Sequence, residues 1–402
     1  MDQQTHAPEP TGPFTVRPIP ADQAQQAMLS VGGSFLQTPS WADTKPDWRR
    51  QFLGWFDASG QLVGAGLVLA RNIPKLKHTF AYLPEGPALP WAAVADDPSA
   101  WLDPLVEWAR SAGAFALRLG FPIVSRTWEP DPVKKQIADG GLLSFTELPP
   151  AVDNPVARRV ESWLDANEWK PIGWGTTSAV GQPRYLCIVD LAGRDAESVL
   201  KGMNQQWRRN IKKAEKAGVQ VRAVGVEGVD TFHELYCESA ARDHFYPRPK
   251  FYFERMMKAF AGDHDRLMGT FYEAHVDGDV LASALMIRFG TTFSYLYGGT
   301  TTRNRDARAS NALQWQAIKD AIDAGCTAYD FRGFNTSLGA TSPLTGLLLY
   351  KLGAGSDVVE MVGERELVIS PFWHAAFEKA MDLRVAMNKR RKGSAPEEQA
   401  DV

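Results

Sequence analysis

The sequence predicts an α/β chain made of two copies of one domain, each a mixed sheet flanked by helices. Three observations carry this. The segments Gly60–Leu69, Phe80–Gly86 and Trp108–Phe121 recur in order as Gly278–Ile287, Ser294–Gly299 and Ile318–Phe334, with Gly113 and Gly325 standing 212 residues apart. A period that long marks a duplicated domain rather than a solenoid array. The 402 residues suffice for two domains of ordinary size, and 44% hydrophobic with 23% charged residues is the composition of a globular chain. Paired domains tend to hold a ligand at their junction, so function is sought where the two copies differ.

The elements follow in order. Residues 1–13, rich in Pro, Gln and Glu, read as a flexible tail. The first domain is expected over 14–183, completed by 362–391. Thr38 is its first N-cap, with Pro39 at the opening helical position. Strands are predicted at 48–56 and 61–70, a helix at 101–111 stopped by Gly113, and a short buried strand at 114–119. Residues 122–156 hold several prolines and read as a loop-rich insertion before a helix at 156–166. The second domain is expected over 184–361. It opens with a strand at 184–191, followed by one long helix at 196–217 ended by Gly218, and by helices at 230–241 and 251–260. Strands at 268–275, 280–289 and 292–298 lead to a helix at 310–324 with Ser310 as N-cap, and then to a strand at 328–331. A helix and one or two strands fill 344–370, a last helix spans 371–391, and 392–402 is a disordered tail.

Several classes are excluded. A net charge of −3 gives no global attraction for polyanions, so any nucleic-acid contact must be local. Cys187, Cys237 and Cys326 form no CxxC pair, and an odd count argues for a reducing cytosol. The N-terminus has neither the basic start nor the apolar core of a signal peptide, and the longest apolar run, Leu62–Ala70, is too short to span a bilayer. There is no Walker loop, no GxGxxG after a strand and no nucleophile elbow. The histidines have no HxxH or HExxH spacing, so no metal site is expected.

Four segments can carry chemistry. The helix around Lys201–Lys216 places Met203, Trp207, Ile211 and Ala214 on one stripe and surrounds it with Lys201, Arg208, Arg209, Lys212, Lys213 and Lys216. Such a face can contact phosphates, or it can be a solvated amphipathic surface. Ser294–Thr300 leads through Arg303, Arg305 and Arg308 to a helix N-terminus, whose free N–H groups attract anions; an ordinary capped helix has the same pattern. Asp330 at a strand end suits a general base, or an ion pair with Arg332. Lys351 is the only charge between Arg332 and Asp357, either snorkelling to solvent or held for a ligand phosphate.

Taken together, Phe35–Lys45, Tyr82–Pro87, Asn210–Val219, Arg242–Arg248 and Tyr329–Phe334 resemble, in the right order, the Fem family, whose members add amino acids from aminoacyl-tRNA to the stem peptide of bacterial cell-wall precursors. The resemblance runs from about Phe35 to Ser370. It implies two tandem GNAT-like domains facing a cleft, in the compact branch, since no coiled-coil arm follows Gly218. It also implies a site: Lys45, Arg248 with Tyr252, Tyr297, and the pair Tyr350–Lys351 on the precursor, with Lys351 and Asp330 as catalytic candidates. Arg208, Arg209, Lys212, Lys213, Lys216, Arg303 and Arg305 are then candidates for the tRNA acceptor end. No cofactor is implied besides aminoacyl-tRNA as co-substrate. The acceptor is UDP-MurNAc-pentapeptide or lipid II, and the protein is expected to be a cytoplasmic monomer with at most a peripheral contact at the inner membrane face. Two departures stand out: Gly120-Phe-Pro122 lacks the acid of many members, and Glu85 replaces a base. The alternatives are an N-acyltransferase with another acyl donor or a protein N-terminus as acceptor, and a non-catalytic RNA-binding or cell-wall regulatory protein.

Overall fold

The structure is a computed structural model describing residues 13–72, 78–139, 145, 147–172, 181–261, 266–334 and 343–392. All but the innermost residue of each predicted tail lies outside the described residues. The elements are β1 (Thr15–Pro18), α1 (Ala21–Val31), α2 (Pro39–Asp43), β2 (Arg49–Phe56), β3 (Leu62–Asn72), β4 (Thr79–Leu83), α3 (Trp91–Asp96), α4 (Pro98–Ser111), β5 (Ala114–Trp128), α5 (Pro130–Ala138), β6 (Val152–Asp153), α6 (Pro155–Ala166) and β7 (Lys170–Pro171). They continue with β8 (Tyr185–Asp190), α7 (Ala196–Gly202), α8 (Gln205–Lys216), β9 (Gln220–Val224), α9 (Val229–Asp243), α10 (Lys250–Ala259), β10 (Leu267–Val276), β11 (Asp279–Phe289), β12 (Thr292–Thr300), α11 (Ala309–Asp323), β13 (Ala328–Gly333), α12 (Pro343–Gly353), β14 (Asp357–Val368) and α13 (Pro371–Lys392). The chain divides into two units: Met1–Pro122 with Val156–Pro171 and Glu364–Lys379, and Ile123–Pro155 with Ile172–Gly363 and Ala380–Val402.

Each unit repeats one pattern of strands. In the first, β2, β3 and β4 are antiparallel, and α3 and α4 carry the chain over to β5, which pairs parallel to β4 with Ala81 opposite Leu117. In the second, β10, β11 and β12 are antiparallel, and α11 carries the chain to β13, parallel to β12 with Phe293 opposite Tyr329. Here β9 edges the sheet beyond β10, and β8 and β14 extend it beyond β13. The paired glycines are the stops that make the repeat possible. Gly113 and Gly325 sit just past the ends of α4 and α11 at φ 76° and 71°, the left-handed region that suits glycine. The Cys326 N–H then closes back on the Ala321 carbonyl at 2.9 Å, satisfying a helix-end acceptor. The parallel strands that follow are buried on both faces, which is why Ala114–Leu119 and Ala328–Phe331 read as near-continuous apolar runs.

The structure corrects several expectations. The long helix at 196–217 is two helices. Met203 turns extended, its side chain 1% exposed, and Asn204 caps α8 by accepting the Trp207 N–H at 2.8 Å. The cap of α11 is Arg308 rather than Ser310, whose carbonyl instead accepts the Tyr350 hydroxyl at 3.1 Å. The loop-rich reading of 122–156 fails because β5 runs on for fifteen residues. Past Pro122 it gains a partner, with the Ala151 and Asn154 N–H groups donating to the Thr127 and Ser125 carbonyls. Trp128 then belongs to the second unit's core, packed against Phe145. The predicted N-cap Thr38 is as expected, its hydroxyl accepting the Trp41 N–H at 3.1 Å.

Candidate active site

In the second unit, β12 shapes the site by carrying one residue too many. Leu285 on β11 opposes Tyr297, but its neighbour Met286 opposes Tyr295, so Leu296 is the extra residue of a bulge. Period-two alternation would put both tyrosines on one face. The bulge sends them to opposite faces. Tyr295 meets Phe331 on the face that carries α8 and α11, whereas Tyr297 meets Tyr236, Tyr252 and Phe253 from α9 and α10. Gly299 lets α9 approach this strand, since a Cβ there would stand 2.4 Å from the backbone of Leu235 and Tyr236. Arg248 lies 4.7 Å over the Tyr252 ring, and the Tyr252 and Tyr297 hydroxyls are 3.4 Å apart. His233 bonds the Arg248 carbonyl at 3.1 Å. Burial pushes the Tyr236 phenol up to about 12, so it stays neutral. The predicted trio Arg248, Tyr252 and Tyr297 is thus brought together as one guanidinium above an aromatic wall, a surface suited to an anionic, partly planar ligand.

On the other side of the same sheet, α12 delivers Lys351 to the end of β13. The residue is 3% exposed, and its ammonium donates to the carbonyls of Gly333 at 2.8 Å and Arg332 at 3.2 Å. Burial draws its pKa below the usual lysine range. Asp330, 4% exposed, is engaged on both oxygens by Arg332: the backbone N–H reaches Oδ1 at 2.6 Å and Nη1 reaches Oδ2 at 3.1 Å. Arg332 holds this pose at φ 58°. Asp330 therefore orients the strand end together with Arg332, as the ion-pair alternative anticipated. The Cys187 thiol is pushed up to about 12 by burial, and burial also raises Cys237 and Cys326, so no cysteine supplies a thiolate near neutrality.

The basic helix joins this region through Trp207. Its indole N–H donates to the Tyr350 carbonyl at 2.8 Å, and its ring packs tilted against that of Tyr350, the centroids 4.8 Å apart. Outward, Arg209, Lys212 and Lys216 are exposed, and Lys213 pairs with Asp306 at 2.9 Å, bringing the two predicted basic segments side by side. Arg305 is exposed, and Arg303 lies 3.8 Å from Asp279. Arg208 differs from its neighbours, since it donates to the carbonyls of Lys201 and Met203, closing the break between α7 and α8.

In the first unit, Lys45 is 5% exposed with its ammonium 4.7 Å from the Trp41 ring. The glycine at position 120 has a steric reason: a Cβ there would stand 2.8 Å from the Glu85 nitrogen. Sequence reading overlooked the carboxylate that reaches this place from β14. The Glu364 side chain, 6% exposed, passes 3.7 Å from that Cβ position and accepts the Tyr82 hydroxyl at 2.5 Å. The signal was the run of acids Glu360, Glu364 and Glu366 in a strand whose other residues, Asp357 and Arg365 apart, are apolar or glycine. Among the described residues, no three His, Cys, Asp or Glu side chains cluster as metal ligands.

The solved structure titled FemX superimposes with a TM-score of 0.74 over 90% of this chain and 99% of that one at 20% identity, which establishes the fold. Curated lipid II:glycine glycyltransferases of Staphylococcus aureus strains MRSA252 and USA300 are each 23% identical over 409 residues, spanning 84% of this chain and 89% of theirs. The class is that of an aminoacyltransferase. The FemAB family model matches residues 166–276 and 269–381, more than half of the chain, and the chain belongs to the FemAB family.

Proposed function

We propose that this protein transfers an amino acid from aminoacyl-tRNA to the stem peptide of a peptidoglycan precursor. The observation that carries this reading is the box of Arg248, Tyr252 and Tyr297, on the same unit as the buried Lys351 and inside the family-matched region. The name of the staphylococcal relatives supports a lipid II acceptor. Arg248 pairs with an acidic group of the precursor, and the tyrosines stack beneath it.

The reaction is aminolysis of an ester. The acceptor amine attacks the aminoacyl carbonyl, the C–N bond forms, and the ribose oxygen leaves with a proton. The raised thiols argue against an acyl-cysteine intermediate and favour direct transfer. Lys351 spends two of its three donors on the Arg332 and Gly333 carbonyls and turns the third to the developing oxyanion. With both Asp330 oxygens engaged by Arg332, a substrate phosphate accepts the proton of the attacking amine. The experiment is transfer from a mixed pool of radiolabelled aminoacyl-tRNAs to UDP-MurNAc-pentapeptide and to lipid II. Label on either precursor is expected; its absence from both, with folded protein, rejects the reading.

A further inference from the structure

Lys351 stands in the last turn of α12, and the carbonyls of a helix's last turn have no partner within the helix. Here each finds one. The Lys351 carbonyl accepts the Ala354 N–H at 3.0 Å and the Ser356 hydroxyl at 2.9 Å, and the Leu352 carbonyl accepts the Gly355 N–H at 3.1 Å. The remaining two are met by α8. The Gly353 carbonyl accepts the Asn204 N–H at 2.9 Å, and the Tyr350 carbonyl accepts the Trp207 indole at 2.8 Å. An uninterrupted helix would have turned the Asn204 N–H to the Leu200 carbonyl. The break after α7 gives that carbonyl to the Met203 N–H at 3.2 Å and leaves Asn204 for α12. The indole has a fitted place: Trp207 is 3% exposed, and a Cβ on Gly353 would stand 2.6 Å from its ring. The ring also meets Phe331 edge-on, the centroids 6.5 Å apart, and Phe331 precedes Arg332, whose carbonyl takes one of the Lys351 donors. Trp207 therefore touches both elements that place the ammonium, α12 from which the side chain starts and β13 on which it ends.

We infer that Trp207 is a positioning residue for the transfer: by holding the Tyr350 peptide it fixes where the Lys351 ammonium presents its third donor. A donor aimed at a developing oxyanion is effective only while its place is set beforehand, so loosening its support lowers the rate without altering the groups present. Tyr350 is fixed at its other end too, its hydroxyl donating to the Ser310 carbonyl at 3.1 Å. The role is separate from the outward face of α8, where Arg209, Lys212 and Lys216 are exposed. One helix thus offers its basic residues to the surroundings and its buried indole to the lysine. The inference rests on the reading of Lys351 as the oxyanion donor.

The test is a double-mutant cycle on the full-length protein, with kcat and the KM for aminoacyl-tRNA measured below every melting transition for wild type, Trp207→Phe, Lys351→Met and the double variant. Trp207→Phe keeps a ring and removes the N–H, leaving the Tyr350 carbonyl without its donor. It is expected to lower kcat about tenfold, the effect of one unmet buried acceptor, with KM for aminoacyl-tRNA unchanged because the basic face is untouched. In the Lys351→Met background the same change should alter kcat by less than about twofold, since the group it positions is gone. A merely structural indole would cost the same in both backgrounds, and that result, or an unchanged kcat in Trp207→Phe alone, overturns the inference. If Trp207→Phe does not fold, Gly353→Ala decides: alanine is the better helix former but displaces the ring, so it should show the same kcat loss and the same dependence on Lys351. A Lys351→Met variant as fast as wild type removes the lysine's role and this inference with it, whereas absent wild-type transfer rejects the function.

Discussion

Lys351 concentrates the chemistry of the second unit in one ammonium that is buried yet held by two carbonyls. Desolvation disfavours its charge, and the carbonyl bonds favour keeping it. Replacing it with methionine retains the apolar stem and removes every donor. Lys351→Met is expected to lower kcat about 100-fold while the melting transition stays cooperative, the usual effect of deleting one oxyanion donor; a stopped assay with labelled aminoacyl-tRNA alongside a thermal melt checks both. That Lys351 stands alone in an apolar stretch was legible from sequence, because a lone charge there needs a partner. Its partners were not legible, because they are backbone carbonyls, which leave no trace in residue type. Asp330 shows the converse. Its pairing with Arg332 was one of two readings open from two letters of spacing, and only the left-handed backbone at Arg332 selects it.

At the scale of elements, the break between α7 and α8 was missed because the apolar stripe Met203, Trp207, Ile211 and Ala214 runs through it without interruption. The asparagine side chain competes with the helix for its own backbone, and here it wins. Asn204→Ala removes the acceptor for the Trp207 N–H and is expected to cost about 1 kcal/mol, read as a lower urea midpoint at unchanged slope. On β14, Asp357 has its carboxyl pushed up to about 6 by burial and by the charges of Glu129 and Asp190. The folded state therefore holds a proton there that the unfolded state releases near the ordinary 3.8. Stability from this group is complete below about pH 4 and is lost as pH rises through about 6. Asp357→Asn should melt higher than wild type at pH 7.5, with the gap closing by pH 4; a constant gap across melts at several pH values refutes the assignment.

For the whole molecule, the duplication was legible because glycines that end helices cannot drift far, and Gly113 and Gly325 mark the same step in each unit. The net charge of −3 left only a local contact with nucleic acid open, and α8 and the adjoining loop bring basic residues together. Charge on that face rather than overall charge sets the affinity for a polyanion. Reversing Arg209, Lys212 and Lys216 to glutamate should raise the KM for aminoacyl-tRNA at least tenfold and weaken its salt dependence by about two in log–log slope, with kcat at saturating donor less affected. Equal KM values at 50 and 200 mM salt in the wild type would remove this face from donor binding.

The surplus residue in β12 has a consequence for what mutation can tolerate. Leu296 is only half-buried and is the one residue of β12 with no opposite on β11. Deleting it makes Tyr297 the direct neighbour of Tyr295, and the two keep their opposite faces by ordinary alternation while Met286 and Leu285 keep their partners. Deleting a paired residue of the strand instead leaves the residues beyond it one place out of register. The spare residue is thus slack in the strand's length, so a library of single-residue deletions along β12 should find its tolerated position at Leu296 and lose activity at the paired positions around it.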